Sequence, residues 1–433
     1  MIWIYRILFL PLLLLASPYY LWRMRRRGGY AEGFWHRFGE VPPLPAKATG
    51  AKRVWLQAVS VGEILAIAPL LEAFKREGHT EVYLTTTTST GYQLAREKYA
   101  ALTVGIGYFP LDWWAFSRRA WRQVAPDLAI LMEGERWPEH VAQSRAHGVP
   151  VISVNARLSD RSFKRSMRFR ALLQPLAAGI TRVLCAAKRD EQRFKTLGFS
   201  PDRLQTTGNL KLDVTIPVMS DAEKGALRKA IGLPPAGLVL LGSSTWPGEE
   251  TALLTALKSA RERGLKVSLL LVPRHAERRE ELRGLLEKSG LSFHFRSSGA
   301  ATETVDVAVG DTTGELRKFT QLADLVFTGK SLAPHDGGQT PVEAAVLGKP
   351  LLHGPRMTNF RDIIRSLTEA GAVRKVETHS ELISVAVELL QDEAQRAKLA
   401  AAAREWHEAN RGATERTLAV IRLELRLPGG PSD

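Results

Sequence analysis

A chain of 433 residues is long for a single hydrophobic core and points to two domains of ordinary size. Its 45% apolar and 24% charged residues are the proportions of a globular protein, and a lone cysteine, Cys185, excludes an intrachain disulfide and suits a reducing compartment. A formal charge of +15 calls for an anionic partner, and nucleic acid, an acidic membrane face or a phosphorylated substrate would each be attracted.

From Ile2 to Trp22 the residues are nearly all apolar or aromatic, apart from Arg6 and Ser17, and Arg23-Met24-Arg25-Arg26-Arg27 follows. Residues 1–27 therefore read as a membrane anchor with a basic flank that stays cytoplasmic and attracts anionic lipid. Pro11 and Pro18 interrupt the run, so a tilted or interfacial segment fits as well as a full span. A cleaved signal peptide with processing near Ala16-Ser17 is the competing reading, opposed by the arginine cluster.

After Val41-Pro42-Pro43-Leu44-Pro45, a stiff linker, strands alternate with helices over residues 46–214. Val54–Ala58, Glu81–Thr86, Val104–Tyr108, Leu128–Met132, Val149–Val154 and Thr181–Ala186 read as strands, with helices at Glu63–Arg76 and Thr90–Tyr99. Gly105-Ile106-Gly107 reads as a turn. Thr215-Ile216-Pro217-Val218-Met219-Ser220 joins this domain to a second series over residues 221–390. Its strands are expected at Leu238–Leu241, Val267–Val272, Leu325–Thr328 and Pro350–Leu352, with a helical tail at 391–427. The fold class is α/β, two Rossmann-like doubly wound domains with a cleft between them, plus the anchor.

Chemistry in such sheets gathers where strands hand over to helices. Ala58-Val59-Ser60-Val61-Gly62-Glu63 puts a carboxylate at such a handover behind small residues, so Glu63 is a candidate general base; an ordinary first-turn glutamate explains the same pattern. Glu133-Gly134-Glu135-Arg136-Trp137-Pro138 follows a central strand, and two acids beside an arginine are unusual as packing. Asn155-Ala156-Arg157-Leu158-Ser159-Asp160-Arg161-Ser162 offers cations and hydroxyls to an acidic substrate. In Gly208-Asn209-Leu210-Lys211-Leu212-Asp213, Lys211 faces the active side if Leu210 and Leu212 are buried.

In the second half, Pro273-Arg274-His275 sets Arg274 at the carboxyl end of a buried strand, where it reaches a phosphate or base, or else pairs with Glu277 or Glu280. Asp311-Thr312-Thr313-Gly314-Glu315-Leu316 lines a base pocket or simply caps a helix. His335 to Glu343 places Gly337 and Gly338 before a helix with Pro341 at an early helical position, a start able to hold a phosphate, with Glu343 toward ribose hydroxyls. Gly329-Lys330-Ser331 lacks the upstream glycine of a phosphate loop. Ten scattered histidines and the lack of any Asp-x-Asp pair argue against a required divalent cation, and no resident cofactor is expected.

Taken in order, these segments resemble the 3-deoxy-D-manno-octulosonic acid (Kdo) transferases that act on lipid A. Ser60-Val61-Gly62-Glu63, Glu133 to Pro138, Asn155 to Ser159, Gly208 to Lys211, Pro273-Arg274-His275, Gly337 to Glu343, and Gly354-Pro355 with Asn359-Phe360 carry the resemblance, which runs to about residue 375. It implies a GT-B glycosyltransferase that inverts the anomeric centre, takes CMP-Kdo as donor and a lipid A precursor as acceptor, and works at the cytoplasmic face of the inner membrane. No nucleic-acid partner is implied. On that likeness Glu63 occupies the base position, Glu133 and Lys211 match transition-state stabilisers, and Pro273, Arg274, Gly314, Glu315, Leu316, Thr340, Pro341, Val342 and Glu343 match CMP-contacting segments. Trp246 departs from a family histidine, Lys330 from a glycine, Thr340 from an asparagine, and Gly134 and Arg136 from a threonine and an aliphatic residue. A nucleotide-sugar epimerase on the same scaffold, or a membrane-tethered polyanion binder, would account for part of this, but the first has no need of an anchor and the second no use for Glu63.

Overall fold

The computed structural model describes residues 2–27, 32–171 and 178–427, and the chain divides into two compact units, 1–213 with 411–433, and 214–410. Each unit is built on a seven-stranded, wholly parallel sheet. In the first unit the order is β3-β2-β1-β4-β5-β6-β7, with β1 Lys52–Gln57, β2 Thr80–Thr86, β3 Gly105–Tyr108, β4 Leu128–Met132, β5 Val151–Ala156, β6 Arg182–Cys185 and β7 Leu204–Thr206. In the second it is β10-β11-β9-β8-β12-β13-β14, with β8 Leu238–Thr245, β9 Val267–Pro273, β10 Phe293–Phe295, β11 Val307–Val309, β12 Leu325–Thr328, β13 Leu351–His353 and β14 Val373–Lys375. The strands β4, β5, β9 and β12 are near-continuous apolar runs, because helices cover both faces of a parallel sheet.

Helix α1 spans Ile2–Arg27, and its first 19 residues are apolar enough to cross a membrane. Between the strands of the first unit lie α2 Val61–Ala66, α3 Ala68–Glu77, α4 Ser89–Tyr99, α5 Trp114–Val124, α6 Pro138–His147, α7 Asp160–Arg168 and α8 Lys188–Thr196. The helix expected as one piece over Glu63–Arg76 is broken at Ile67, because Pro69 has no N–H to give to the preceding turn. Gly105-Ile106-Gly107 is strand, not turn. A Cβ on Gly105 would stand 2.5 Å from Leu44, and one on Gly107 2.3 Å from the Tyr83 hydroxyl, so close packing explains both glycines.

The second unit carries α9 Asp221–Ala230, α10 Glu249–Glu262, α11 Arg279–Ser289, α12 Leu316–Leu322, α13 Val342–Val346, α14 Arg361–Glu369, α15 His379–Gln391 and α16 Glu393–Asn410. Ser220 in the joining stretch closes a capping box with Glu223 at the start of α9. The residues read as one helical tail at 391–427 fall in different units: α16 belongs to the second, whereas α17, Ala413–Leu425, joins the first. Leu418, Ile421 and Leu425 of α17 enter the first unit's core, and Asp213 accepts the Gly412 N–H at 2.7 Å and the Thr414 N–H.

Candidate active site

The carboxyl ends of β1, β4 and β5, neighbours in the first sheet, carry the charged residues singled out from the sequence. Ser60 caps α2 by accepting the Glu63 N–H at 3.3 Å, and the Glu63 side chain folds back toward the strand. Its Oε2 accepts the Val59 N–H at 2.8 Å and its Oε1 the Ser60 hydroxyl at 3.0 Å. Glu63 thus does the capping work of a first-turn glutamate, yet it is only 7% exposed. Burial pushes its carboxyl above the usual carboxylate range, with the Glu133 charge adding to the rise; the Val59 and Ser60 hydrogen bonds and the Lys211 charge oppose it. A buried carboxylate raised in this way is a better proton acceptor than an exposed one.

Glu133 leaves β4 with φ 52°, and Asn155, the last residue but one of β5, has φ 55°. A left-handed backbone at a residue other than glycine costs about 1–3 kcal/mol and persists only where surrounding contacts impose it. Here the contacts are polar. Lys211 Nζ meets Glu133 Oε1 at 2.7 Å, Asn155 Nδ2 approaches the same oxygen at 3.4 Å, and Asn155 Oδ1 accepts the Leu210 N–H at 3.1 Å. Leu210 and Leu212 are buried, and Lys211 between them points toward α2, 3.9 Å from where a Cβ on Gly62 would stand. The structure therefore gathers Glu63, Glu133 and Lys211 around the start of α2.

Glu135 joins this group although it was not singled out as a site residue. Burial, the Glu63 charge and the Glu133 charge push its carboxyl up to about 7. The signal available in the sequence was the second acid of Glu133-Gly134-Glu135. Beside it lies a cavity of about 520 Å³ lined by Gly134, Arg136, Arg157, Leu158, Ser162, Arg165, Ser166 and Phe169, which combines cations with an apolar wall.

In the second unit the candidate residues follow the adjacent strands β11 and β9, and β12 through the loop before α13. Pro273 is buried at the end of β9, while Arg274 is exposed, its backbone N–H held by the Thr245 carbonyl at 3.2 Å. Among the described residues its guanidinium pairs with neither Glu277 nor Glu280. Gly314, at φ 87°, stands in open space. Glu315 accepts from Thr312 Oγ1 at 2.5 Å and from Arg296 at 3.2 Å; although burial pushes its carboxyl up, these bonds hold it below the usual range. Leu316 begins α12, whose Arg317 reaches Glu343 at 2.8 Å and so joins that loop to α13. Pro341 is the cap of α13 rather than an early helical residue, Thr340 Oγ1 accepts the Val342 N–H at 3.3 Å, and the helix has only five residues. Glu343 gives one carboxylate oxygen to Arg317, and its remaining lone pairs can accept ribose hydroxyls without breaking that pair.

The segment around Trp246 is braced by a buried strut. Buried Glu249 accepts the N–H groups of Trp246, Lys330, Ser331 and Leu332 at 2.9–3.3 Å, fixing the loops after β8 and β12 together. Two departures meet there: the Lys330 ammonium lies 4.7 Å from the centre of the Trp246 ring. Lys330 keeps the left-handed backbone, φ 58°, that a glycine adopts without strain. Gly329 stays glycine because a Cβ would stand 2.4 Å from the Ser244 carbonyl.

Comparison with known proteins supplies the family. The family model described as 3-deoxy-D-manno-octulosonic-acid transferase (kdotransferase) matches residues 32–214. A 3-deoxy-D-manno-octulosonic acid transferase of Bordetella pertussis is 34% identical over 417 residues, 93% of this chain and 94% of its relative. The chain belongs to the Kdo transferase family. The Haemophilus influenzae transferase is 31% identical over 96% of this chain and 95% of its own. The Kdo transferase is therefore a glycosyltransferase enzyme with two GT-B-type parallel sheets. A structure from Listeria monocytogenes, described as a candidate UDP-N-acetylglucosamine 2-epimerase, is similar with a TM-score of 0.59 at 16% identity, covering 88% of this chain and 99% of its own, a likeness of fold alone.

Proposed function

We propose that this enzyme moves Kdo from CMP-Kdo to a hydroxyl of a lipid A precursor in lipopolysaccharide biosynthesis, inverting the anomeric centre, at the cytoplasmic face of the inner membrane. The observation that carries the mechanism is the gathering of buried Glu63 with Glu133 and Lys211 at the start of α2. Glu63 takes the proton from the acceptor hydroxyl as that oxygen attacks the anomeric carbon. Gly62 leaves room for the sugar, and Lys211, oriented by Glu133, offsets the negative charge of the reacting centre. Arg136, Arg157 and Arg165 in the neighbouring cavity suit the phosphate of the acceptor, with Phe169 toward its acyl part. In the second unit, Pro273 and Arg274 meet the phosphate of the departing CMP, and Gly314, Glu315, Leu316, Thr340, Pro341, Val342 and Glu343 hold its nucleoside. Helix α1 and its basic flank keep the enzyme at the anionic surface where its lipid acceptor resides.

The test is mass spectrometry of a lipid A precursor incubated with CMP-Kdo and the purified enzyme. The expected result is lipid heavier by one or more Kdo residues. Unchanged lipid, from protein shown to bind both substrates, would overturn the proposal.

A further inference from the structure

Helix α1 is gripped at its N-terminal end by the unit that follows it. The Tyr5 hydroxyl donates to Asp112 Oδ2 at 2.7 Å, and Arg6 forks onto Glu139 at 2.7 and 2.9 Å. The Trp113 indole N–H donates to the Arg6 carbonyl at 3.2 Å. Asp112 and Glu139 are core residues, 1% and 0% exposed, and Asp112 also accepts the N–H groups of Glu139 and His140 at the start of α6. Two buried carboxylates of the folded domain thus draw partners from the apolar helix, and a buried acid stripped of its cation is strongly destabilising.

The chain beyond the helix returns to the same surface. Trp113 meets Phe116 at 5.2 Å between ring centres, Phe116 meets Phe38 at 5.2 Å, and Phe38 meets Trp35 at 5.6 Å. Three ring contacts therefore connect the residue that holds Arg6 with one shortly after Arg27. From Arg6 to Arg27 the helix is about 30 Å long at its standard rise. A bilayer's hydrocarbon core is also about 30 Å thick, so a span would put Tyr5 and Arg6 on the opposite side from Asp112 and Glu139.

From these contacts, and resting on the membrane attachment proposed above, we infer that α1 does not cross the bilayer but lies in the plane of an anionic phospholipid surface, clamped to the first unit by Tyr5 and Arg6. Half-buried residues recur on one side of the helix, at Tyr5, Arg6, Phe9, Leu13 and Ser17. The other side presents Trp3, Ile7, Leu8, Leu15, Tyr19 and Trp22, each at least half exposed. This exposed apolar and aromatic face contains no acid and leads into the arginine cluster, so with the other side held by the domain it can bury itself among lipid chains beside an anionic surface. Exposed Trp35 and Trp114 add to the apolar surface that the same unit offers.

The test uses the full chain with Cys185→Ala as background, carrying either Ile2→Cys or Lys195→Cys, on sealed vesicles containing phosphatidylglycerol. Flotation comes first, and protein that fails to float overturns both the attachment and the in-plane reading. With floated protein, a membrane-impermeant maleimide should label both cysteines to the same extent from outside. Labelling of Lys195→Cys alone, with Ile2→Cys reached only after detergent, would establish a span and overturn the inference while leaving attachment intact. The clamp has its own readout, the melting temperatures of Arg6→Gln, Glu139→Gln and the double variant. The double variant should lose clearly less than the two single losses combined, and additive losses would show that the pair does not couple.

Discussion

At the carboxyl edge of the first sheet the charged residues hold one another, whereas at the corresponding edge of the second the assigned residues mostly stand apart. Glu133, Asn155 and Lys211 form a closed polar set, and Glu63 is buried against its own loop. Arg274 and Gly314, by contrast, are exposed, while the buried strut Glu249 fixes the neighbouring loops after β8 and β12 through their backbone N–H groups. The difference suits the two tasks proposed for these edges. A reacting centre gains from groups that need not reorganise as charge develops, while a donor pocket has to admit and release a nucleotide.

That contrast can be broken most severely at Glu63. Glu63→Gln should lower kcat by about a hundredfold to ten-thousandfold while the affinity for CMP-Kdo stays within about twofold, measured by product formation and by calorimetry. The pH profile of kcat/KM sharpens the same point. The base works ionised and its pKa is raised, so activity should fall with acidity closer to neutrality than for an ordinary carboxylate. Glu63→Gln also removes the charge that helps raise Glu135, so the Glu135 carboxyl, followed by NMR, should titrate at lower pH in that variant; an unmoved titration would show that the two carboxyls do not sense each other.

Next in size is Lys211→Met, which takes away the cation nearest Glu133 and should cost about a hundredfold in kcat. Combined with Glu133→Gln it should cost much less than the two losses multiplied, because the two residues act as one unit. Arg274→Ala should leave kcat nearly unchanged and weaken CMP-Kdo binding by about tenfold to a hundredfold, the range of a charge-assisted hydrogen bond. An equal fall in kcat would move Arg274 into the reacting centre and erase the contrast between the edges. The smallest effect belongs to Trp246→His, which removes the contact with Lys330 and should change donor affinity by about twofold to fivefold.

Much of this was legible in the sequence because each apolar run of a parallel sheet is followed closely by its polar loop. Leu128–Met132 and Leu325–Thr328 are strands within the expected bounds, and the motifs that follow the strands lie at carboxyl edges. Periodicity missed β7, β10, β11 and β14, three-residue strands too short to show alternation and, at β14, largely exposed. Pairing between side chains was also hidden, since Glu133 and Lys211 are joined only when β4 and the turn after β7 are folded onto one edge. The role of Glu249 was hidden in the same way, and only the four N–H groups aimed at it show that it braces two loops. The tail was misjudged as one segment because helical composition does not reveal which core a helix will enter.

The return of α17 to the first unit has a consequence for biogenesis. The second unit is in effect an insertion between residue 213 and residue 411, so the first unit lacks part of its core until residues 413–425 have left the ribosome. The inserted sheet can close earlier, since everything it needs is already synthesised. A ribosome stalled before Ala413 would therefore hold a finished second unit and an open first unit, with the sites for Leu418 and Ile421 still unfilled.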